Sequence, residues 1–186
     1  MRLFIAIPLP PDIASRAATV IPPALPALRR VPPENLHVTL AFLGWTDEAR
    51  LGEVIASARA AASPFARFRL ELAGAGRFPG TGRPRVVWIG IASGATSVHE
   101  LSERVGFELR SRDIRFDDRP LSPHLTLARV ANDATGPEAK TIAAAVPELV
   151  TPHLAFDVAS IAVMQSALSP KGARYSVAAT AELAPA

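Results

Sequence analysis

The chain has 186 residues, of which 49% are hydrophobic, and a net charge of +3; such a composition excludes disorder and suits one domain with a substantial core or two small lobes. It contains no cysteine, which excludes disulfides, zinc–thiolate centres and a thiol nucleophile and fits a reducing cytoplasm. Lys140 and Lys171 are the only lysines among 20 basic residues; arginine suits bidentate phosphate contacts, although scattered solvated arginines are the commoner arrangement.

The first apolar run, Leu3 to Ile7, reads as a strand. Pro8, Pro10 and Pro11 cut it short of a signal peptide, and no stretch approaches the roughly 20 apolar residues of a membrane span. The expectation is a soluble, cytoplasmic protein with no membrane partner. A helix is predicted from Asp12 to the Pro22-Pro23 pair. After a proline-rich connection, Asn35-Leu36-His37-Val38-Thr39-Leu40-Ala41-Phe42-Leu43-Gly44 predicts a second strand. An amphipathic helix follows, with Leu51, Val54, Ile55, Ala58 and Ala62 on one face and Asp47 and Glu48 in its first turn. Phe68, Leu70 and Leu72 then alternate with Arg67, Arg69 and Glu71 as in a half-buried strand. Gly74 to Pro84 reads as an exposed loop.

The second half repeats this order. Val86 to Ile91 is a buried-type strand, and Ser97 to Glu100 reads as a capping box opening a helix with Leu101, Val105 and Leu109. Pro123-His124-Leu125-Thr126-Leu127-Ala128-Arg129-Val130 predicts another strand. Thr135 to Glu138, with Pro137 as first helical residue, opens a helix carrying Ile142, Ala143 and Val146. Further strand is predicted over Leu154 to Met164 and Tyr175 to Thr180. The fold class is therefore α+β and bilobal. Two pseudo-symmetric β-α-β-α-β halves place antiparallel sheets along a central cleft, with helices outside. The whole chain, 1–186, is expected to form a single domain whose lobes span about 1–84 and 85–186, with exchange of strands between lobes allowed.

His37 and His124 occupy equivalent places in the two halves, as His-Val-Thr-Leu at 37–40 and His-Leu-Thr-Leu at 124–127. Residues i and i+2 of a strand share a face, so each strand presents an imidazole beside a hydroxyl. A single such histidine is more simply a strand residue bonded to a neighbour. Two at symmetric positions, in a chain with four histidines, make a site.

In-line displacement at phosphorus needs a base for the nucleophile and an acid for the departing oxygen. One neutral imidazole and one imidazolium fill those roles near neutrality. The hydroxyls of Thr39 and Thr126 can donate to non-bridging oxygens. A metal centre is disfavoured, since His-x-Thr is no ligand spacing and neither motif contains an acidic residue. Walker-type and serine-hydrolase motifs are absent. No cofactor is expected.

These residues resemble the 2H phosphoesterases, and among them the RNA 2′,3′-cyclic phosphodiesterases, also called 2′-5′ RNA ligases (LigT-like). The resemblance is carried by Arg2 to Ile7, Pro33 to Gly44, Pro123 to Arg129 and Ser166 to Tyr175. It implies a bilobal α+β fold and metal-independent hydrolysis of a terminal 2′,3′-cyclic phosphate to a 2′-phosphate, with reversible 2′-5′ ligation. His37 would be the proton donor to O3′ and His124 the proton acceptor from water; the residues alone leave these roles interchangeable. Implied partners are RNA ends bearing the cyclic phosphate, tRNA fragments among them, and the protein is expected to be a monomer. The resemblance also implies that Arg129 contacts phosphate. Five residues after His124 is the wrong parity for that face, so either a bulge at Ala128 turns the chain or the side chain reaches round the strand end.

Phe42, the equivalent position in the first half, counts as core by parity. Trp45 packs the lobe edge, with base stacking as the alternative. His99 and His153 are read as structural or exposed. Rival readings are a phosphodiesterase of small cyclic nucleotides such as ADP-ribose cyclic phosphate, ligation as the main task, and an RNA-end-binding module without catalysis.

Overall fold

A computed structural model describes residues 1–169 and 172–185. Pro170 and Lys171, in the segment resembling the family ending, lie outside the described residues. In chain order, β1 (Arg2–Pro8) and α1 (Pro11–Ala18) lead through a short strand β2 (Leu28–Arg30) to β3 (His37–Trp45), then α2 (Leu51–Ala62) and β4 (Phe68–Phe78). The second run is β5 (Val86–Ser93), α3 (Ala95–Arg110), β6 (Leu125–Val130), α4 (Gly136–Ala145) and β7 (Leu154–Val158), followed by β8 (Ser160–Ser169) and β9 (Gly172–Glu182). Among the described residues, no helix is long and apolar enough to cross a membrane.

The strands form one antiparallel sheet in the order β7-β4-β5-β6-β3-β1-β8-β9. One edge of β6 is shared: β3 meets it only where Val38 faces Leu125, and β2 pairs with its far end, from Ala128 to Val130. The two motif strands thus touch at a single central pair and diverge, which opens a cleft. Each motif strand carries an extra residue just after its motif threonine, and β3 carries another at Leu43. In β1–β3, Ile5 faces Ala41 while Ala6 faces Thr39, so Leu40 is inserted. In β5–β6, Val87 faces Ala128 while Trp88 faces Thr126, so Leu127 is inserted. Such bulges send two successive side chains to one face, and Leu40 with Ala41, and Leu127 with Ala128, are all buried. The carbonyl freed at each of these two bulges finds a donor. Ser102 on α3 donates its hydroxyl to Leu40 O at 2.7 Å, and the Val31 amide donates to Leu127 O at 2.8 Å.

The convex side of the sheet packs on α2 and α3, whose buried faces include Val54, Ala58, Val98, Leu101 and Val105. Ser57 couples the two helices through its one hydroxyl proton, shared between Glu53 O at 2.9 Å and Glu108 O at 3.2 Å. A smaller apolar cluster of Phe4, Ala6, Ala162 and Met164, with Tyr175 against it, lies apart from the main core.

Several local expectations need correction. The first helix ends at Ala18 rather than at Pro22-Pro23, because the β-branched Thr19 and Val20 are weak helix formers and close a tapering turn instead. Asp47 caps a separate short turn, Glu48–Arg50, by accepting from the Ala49 amide, and the helix proper starts at Leu51. Ser97 opens nothing. Gly94, at φ 85°, is the residue before the helix, and a Cβ there would lie 2.6 Å from Arg69 O. Thr135 and Glu138 do form a reciprocal capping box, with Gly136 and not Pro137 as first helical residue. The loop expected from Gly74 to Pro84 begins later: β4 continues to Phe78, with a register shift at Gly74, and the loop covers 79–84. Gly76 is required because the Trp88 ring lies over it, and a Cβ there would stand 2.2 Å from the indole. Leu154 to Met164 is broken at Ala159 into β7, paired with β4, and β8, paired with β1.

Candidate active site

The cleft where β3 and β6 diverge has a volume of about 500 Å³, and His37, Thr39, His124, Thr126 and Arg129 all line it. The bulge at Leu127 settles the parity difficulty: it shifts Arg129 onto the face of His124 and Thr126. The bulge at Leu40 does the same to Phe42, which is 41% exposed and lines the cleft rather than the core. Trp45, 80% exposed, stands in solvent and packs no lobe edge. His99 and His153 are exposed; His153 lies 4.0 Å from Glu71.

The two imidazoles are held in the same way. His37 Nδ1 lies 2.7 Å from Asn35 O, and His124 Nδ1 lies 2.6 Å from Ser122 O, each two residues upstream. A carbonyl only accepts, so Nδ1 carries the proton and Nε2 is left with its lone pair in the neutral ring. Asn35 is itself anchored, donating from Nδ2 to Ala173 O on β9 at 3.1 Å.

Each ring also has an aromatic wall. Phe4 and Tyr175 flank His37 with centroids at 4.7 and 5.4 Å; Phe78 and Trp88 flank His124 at 5.0 and 6.3 Å. Burial pushes the pKa of His37 below the ordinary 6.5; the bond to Asn35 opposes this, and the charges of Arg129 and His124 add to it. Burial likewise lowers His124, opposed by the bond to Ser122 and aided by Arg129. Among the described residues, neither Thr39 nor Thr126 spends its hydroxyl on another protein group, and no cluster of three His, Asp or Glu could hold a metal.

Sequence reading missed four of these aromatics (Phe4, Phe78, Trp88 and Tyr175) as parts of the site, because their strands reach the cleft only through the sheet order. It also missed Arg2. That guanidinium lies 5.8 Å from the centroid of Phe42 and lines the same cleft. The first half of the chain therefore supplies a cation too, from β1 and across the ring that takes the place of Arg129.

A family profile described as the 2′-5′ RNA ligase superfamily matches residues 9–169. The chain belongs to this superfamily. Among its relatives, the RNA 2′,3′-cyclic phosphodiesterase of Thermus thermophilus is 37% identical over 186 residues, covering 95% of this chain and 87% of that protein. That of Aeropyrum pernix is 34% identical over 151 residues, 80% of this chain and 82% of the relative. The crystal structure of TT0787, also from Thermus thermophilus, superposes with a TM-score of 0.82 at 32% identity over 98% of both chains. Escherichia coli LigT complexed with 3′-AMP gives a TM-score of 0.75 at 27% identity, covering 98% of this chain and 97% of that one. The superfamily's α+β architecture, a curled antiparallel sheet with four helices, is the one found here.

Proposed function

We propose that this chain is an RNA 2′,3′-cyclic phosphodiesterase that converts a terminal cyclic phosphate to a 2′-phosphate. The observation that carries the reading is the pair of imidazoles, each fixed through Nδ1 on a backbone carbonyl, lining one cleft. In the reaction, water adds to phosphorus and the P–O3′ bond breaks. His124 Nε2 takes the proton of the water, and protonated His37 gives its proton to O3′ as that oxygen departs. Thr39, Thr126 and Arg129 donate to the non-bridging oxygens, where charge must be held through the transition state. Two histidines complete the proton inventory, so the proposal requires no cofactor, and activity should survive EDTA. The names of the relatives at 34% and 37% identity support the same substrate chemistry. A 5′-hydroxyl entering in place of water would give the 2′-5′ ligation for which the superfamily is named.

The test is direct. RNA ending in a 2′,3′-cyclic phosphate is incubated with the protein and the phosphomonoester identified. A 2′-phosphate is expected; a 3′-phosphate would reverse the assignment of the leaving oxygen, and an unchanged end would remove the catalytic reading.

A further inference from the structure

A 2′,3′-cyclic phosphate stands at a 3′ terminus, so the rest of an RNA substrate must leave the cleft on one side only. Three hollows adjoin the cleft; the one beside His37 and Asn35, of about 390 Å³, is lined by Glu34 and by no cation, which leaves two grooves for a polyanion. One, of about 550 Å³, runs past Phe42 toward α3 and is lined by Glu103, Asp117 and Asp118. Arg119 is paired with Asp117 and Arg110 lies over the Phe116 ring at 5.4 Å, so the cation this groove has free is Arg129, which it shares with the cleft and sets against three carboxylates. A polyanion gains little there.

The other groove, of about 540 Å³, lies beyond Arg129 and is lined by Arg83, Arg85, Arg129 and Asn132, with no acidic residue among its lining residues. Arg83 is committed to the carbonyl of Ala134. Among the described residues, Arg85 and Arg129 have no ion pair or side-chain hydrogen bond. Arg29 sits directly opposite Arg129 in the β2–β6 pair, a placement in which like charges repel. Among the described residues its only offset is an exposed contact with Asp133 at 3.6 Å, which contributes little. In a chain whose net charge is only +3, this is a concentrated positive site, and it touches the catalytic cleft through the shared side chain of Arg129.

We propose that the groove of Arg85 and Arg129, with Arg29 at its margin, is a second phosphate subsite that receives the phosphodiester on the 5′ side of the cyclic end. The inference rests on the catalytic reading above and deepens it: the substrate class is an oligonucleotide rather than a mononucleotide. The internal phosphate lies between guanidinium groups that otherwise repel, and Arg129 bridges the two phosphates.

The experiment compares kcat/KM for a short oligonucleotide ending in a 2′,3′-cyclic phosphate with that for a 2′,3′-cyclic mononucleotide. It uses the wild type, Arg85→Ala, Arg29→Ala, the double variant, and Arg104→Ala on the far helix as control. Each groove variant is expected to lose about fivefold on the oligonucleotide, the scale of an exposed ionic contact, and nothing on the mononucleotide. The slope of log kcat/KM against log salt for the oligonucleotide should become shallower by about 0.7 per contact removed. Equal losses on both substrates, or none on either, would overturn the subsite while leaving the catalytic reading in place. If the wild type turns over neither substrate, the catalytic reading falls. The groove is then decided by anisotropy of a labelled oligonucleotide: weaker binding by the double variant supports it, and unchanged binding overturns it.

Discussion

Burial strips water from His37 and His124, so each imidazole gives up its proton at a lower pH than an ordinary histidine, and the nearby Arg129 pushes in the same direction. The proposed mechanism needs one ring charged and one neutral. The bell-shaped profile of kcat/KM, which reports the free enzyme, should therefore have its maximum on the acid side of 6.5. Replacing Arg129 by Gln removes a cation, raises both histidine pKa values and should move the profile to higher pH; a profile that stays in place would refute the electrostatic coupling. The same shifts bear on stability. A histidine whose folded pKa is depressed stabilises the fold fully above 6.5, and that contribution is lost as pH falls from there through the folded value. The melting temperature should drop between pH 7.5 and 5.5 by less in a His37→Gln/His124→Gln variant than in the wild type. In the proposed mechanism Thr39 and Thr126 donate to the phosphoryl oxygens, so kcat should fall about a hundredfold in Thr39→Val or Thr126→Val, whereas Thr→Ser retains most of it. That these four side chains would meet in one cleft was legible in the doubled His-x-Thr pattern. Their pKa directions were not, because Phe4, Tyr175, Phe78 and Trp88 reach the rings from strands far off in sequence.

At the scale of the element, alternation along a strand predicted the faces of His37, Thr39, His124 and Thr126, then misplaced Phe42 and left Arg129 in difficulty. Both discrepancies have one cause, the extra residue at Leu40 in β3 and at Leu127 in β6. Neither bulge contains glycine, so no turn-forming residue marks it in the sequence. The bulge at Leu40 depends on the Ser102 hydroxyl, which satisfies the Leu40 carbonyl. Ser102→Ala should cost about 1–3 kcal/mol, since a partly buried acceptor is left without its donor. Urea unfolding monitored by circular dichroism would measure this, and a loss within error of zero would mean that water replaces the serine. Gly76 offers a second handle. Trp45 is exposed and Trp88 partly buried against β4, so Gly76→Ala, by displacing the Trp88 indole, should shift tryptophan emission to the red. It should also lower kcat, because the wall against His124 moves with the indole.

At the scale of the whole molecule, the two β-α-β-α-β runs were legible as a repeat, but the strand order was not. β8 returns to lie beside β1, with β9 outside it, and β4 lies beside β5; periodicity reports which face a strand buries and carries nothing about its neighbour. The arrangement leaves β3 and β6 joined at one pair, Val38 facing Leu125, both fully buried. His37 and His124 each precede one member of that pair, so the seam sets their separation across the cleft. Leu101, on α3, is just as buried but lies in the helix layer. Leu125→Ala and Leu101→Ala should therefore destabilise the fold alike, by about 2–5 kcal/mol. Their effects on catalysis should differ. Measured where both variants are fully folded, kcat should fall tenfold or more for Leu125→Ala, since a displacement of about 1 Å at a catalytic group is costly, and remain near wild type for Leu101→Ala. Equal kcat values in the two variants would mean that the histidines are positioned by their own carbonyl bonds, at Asn35 and Ser122, and that the seam only holds the sheet together.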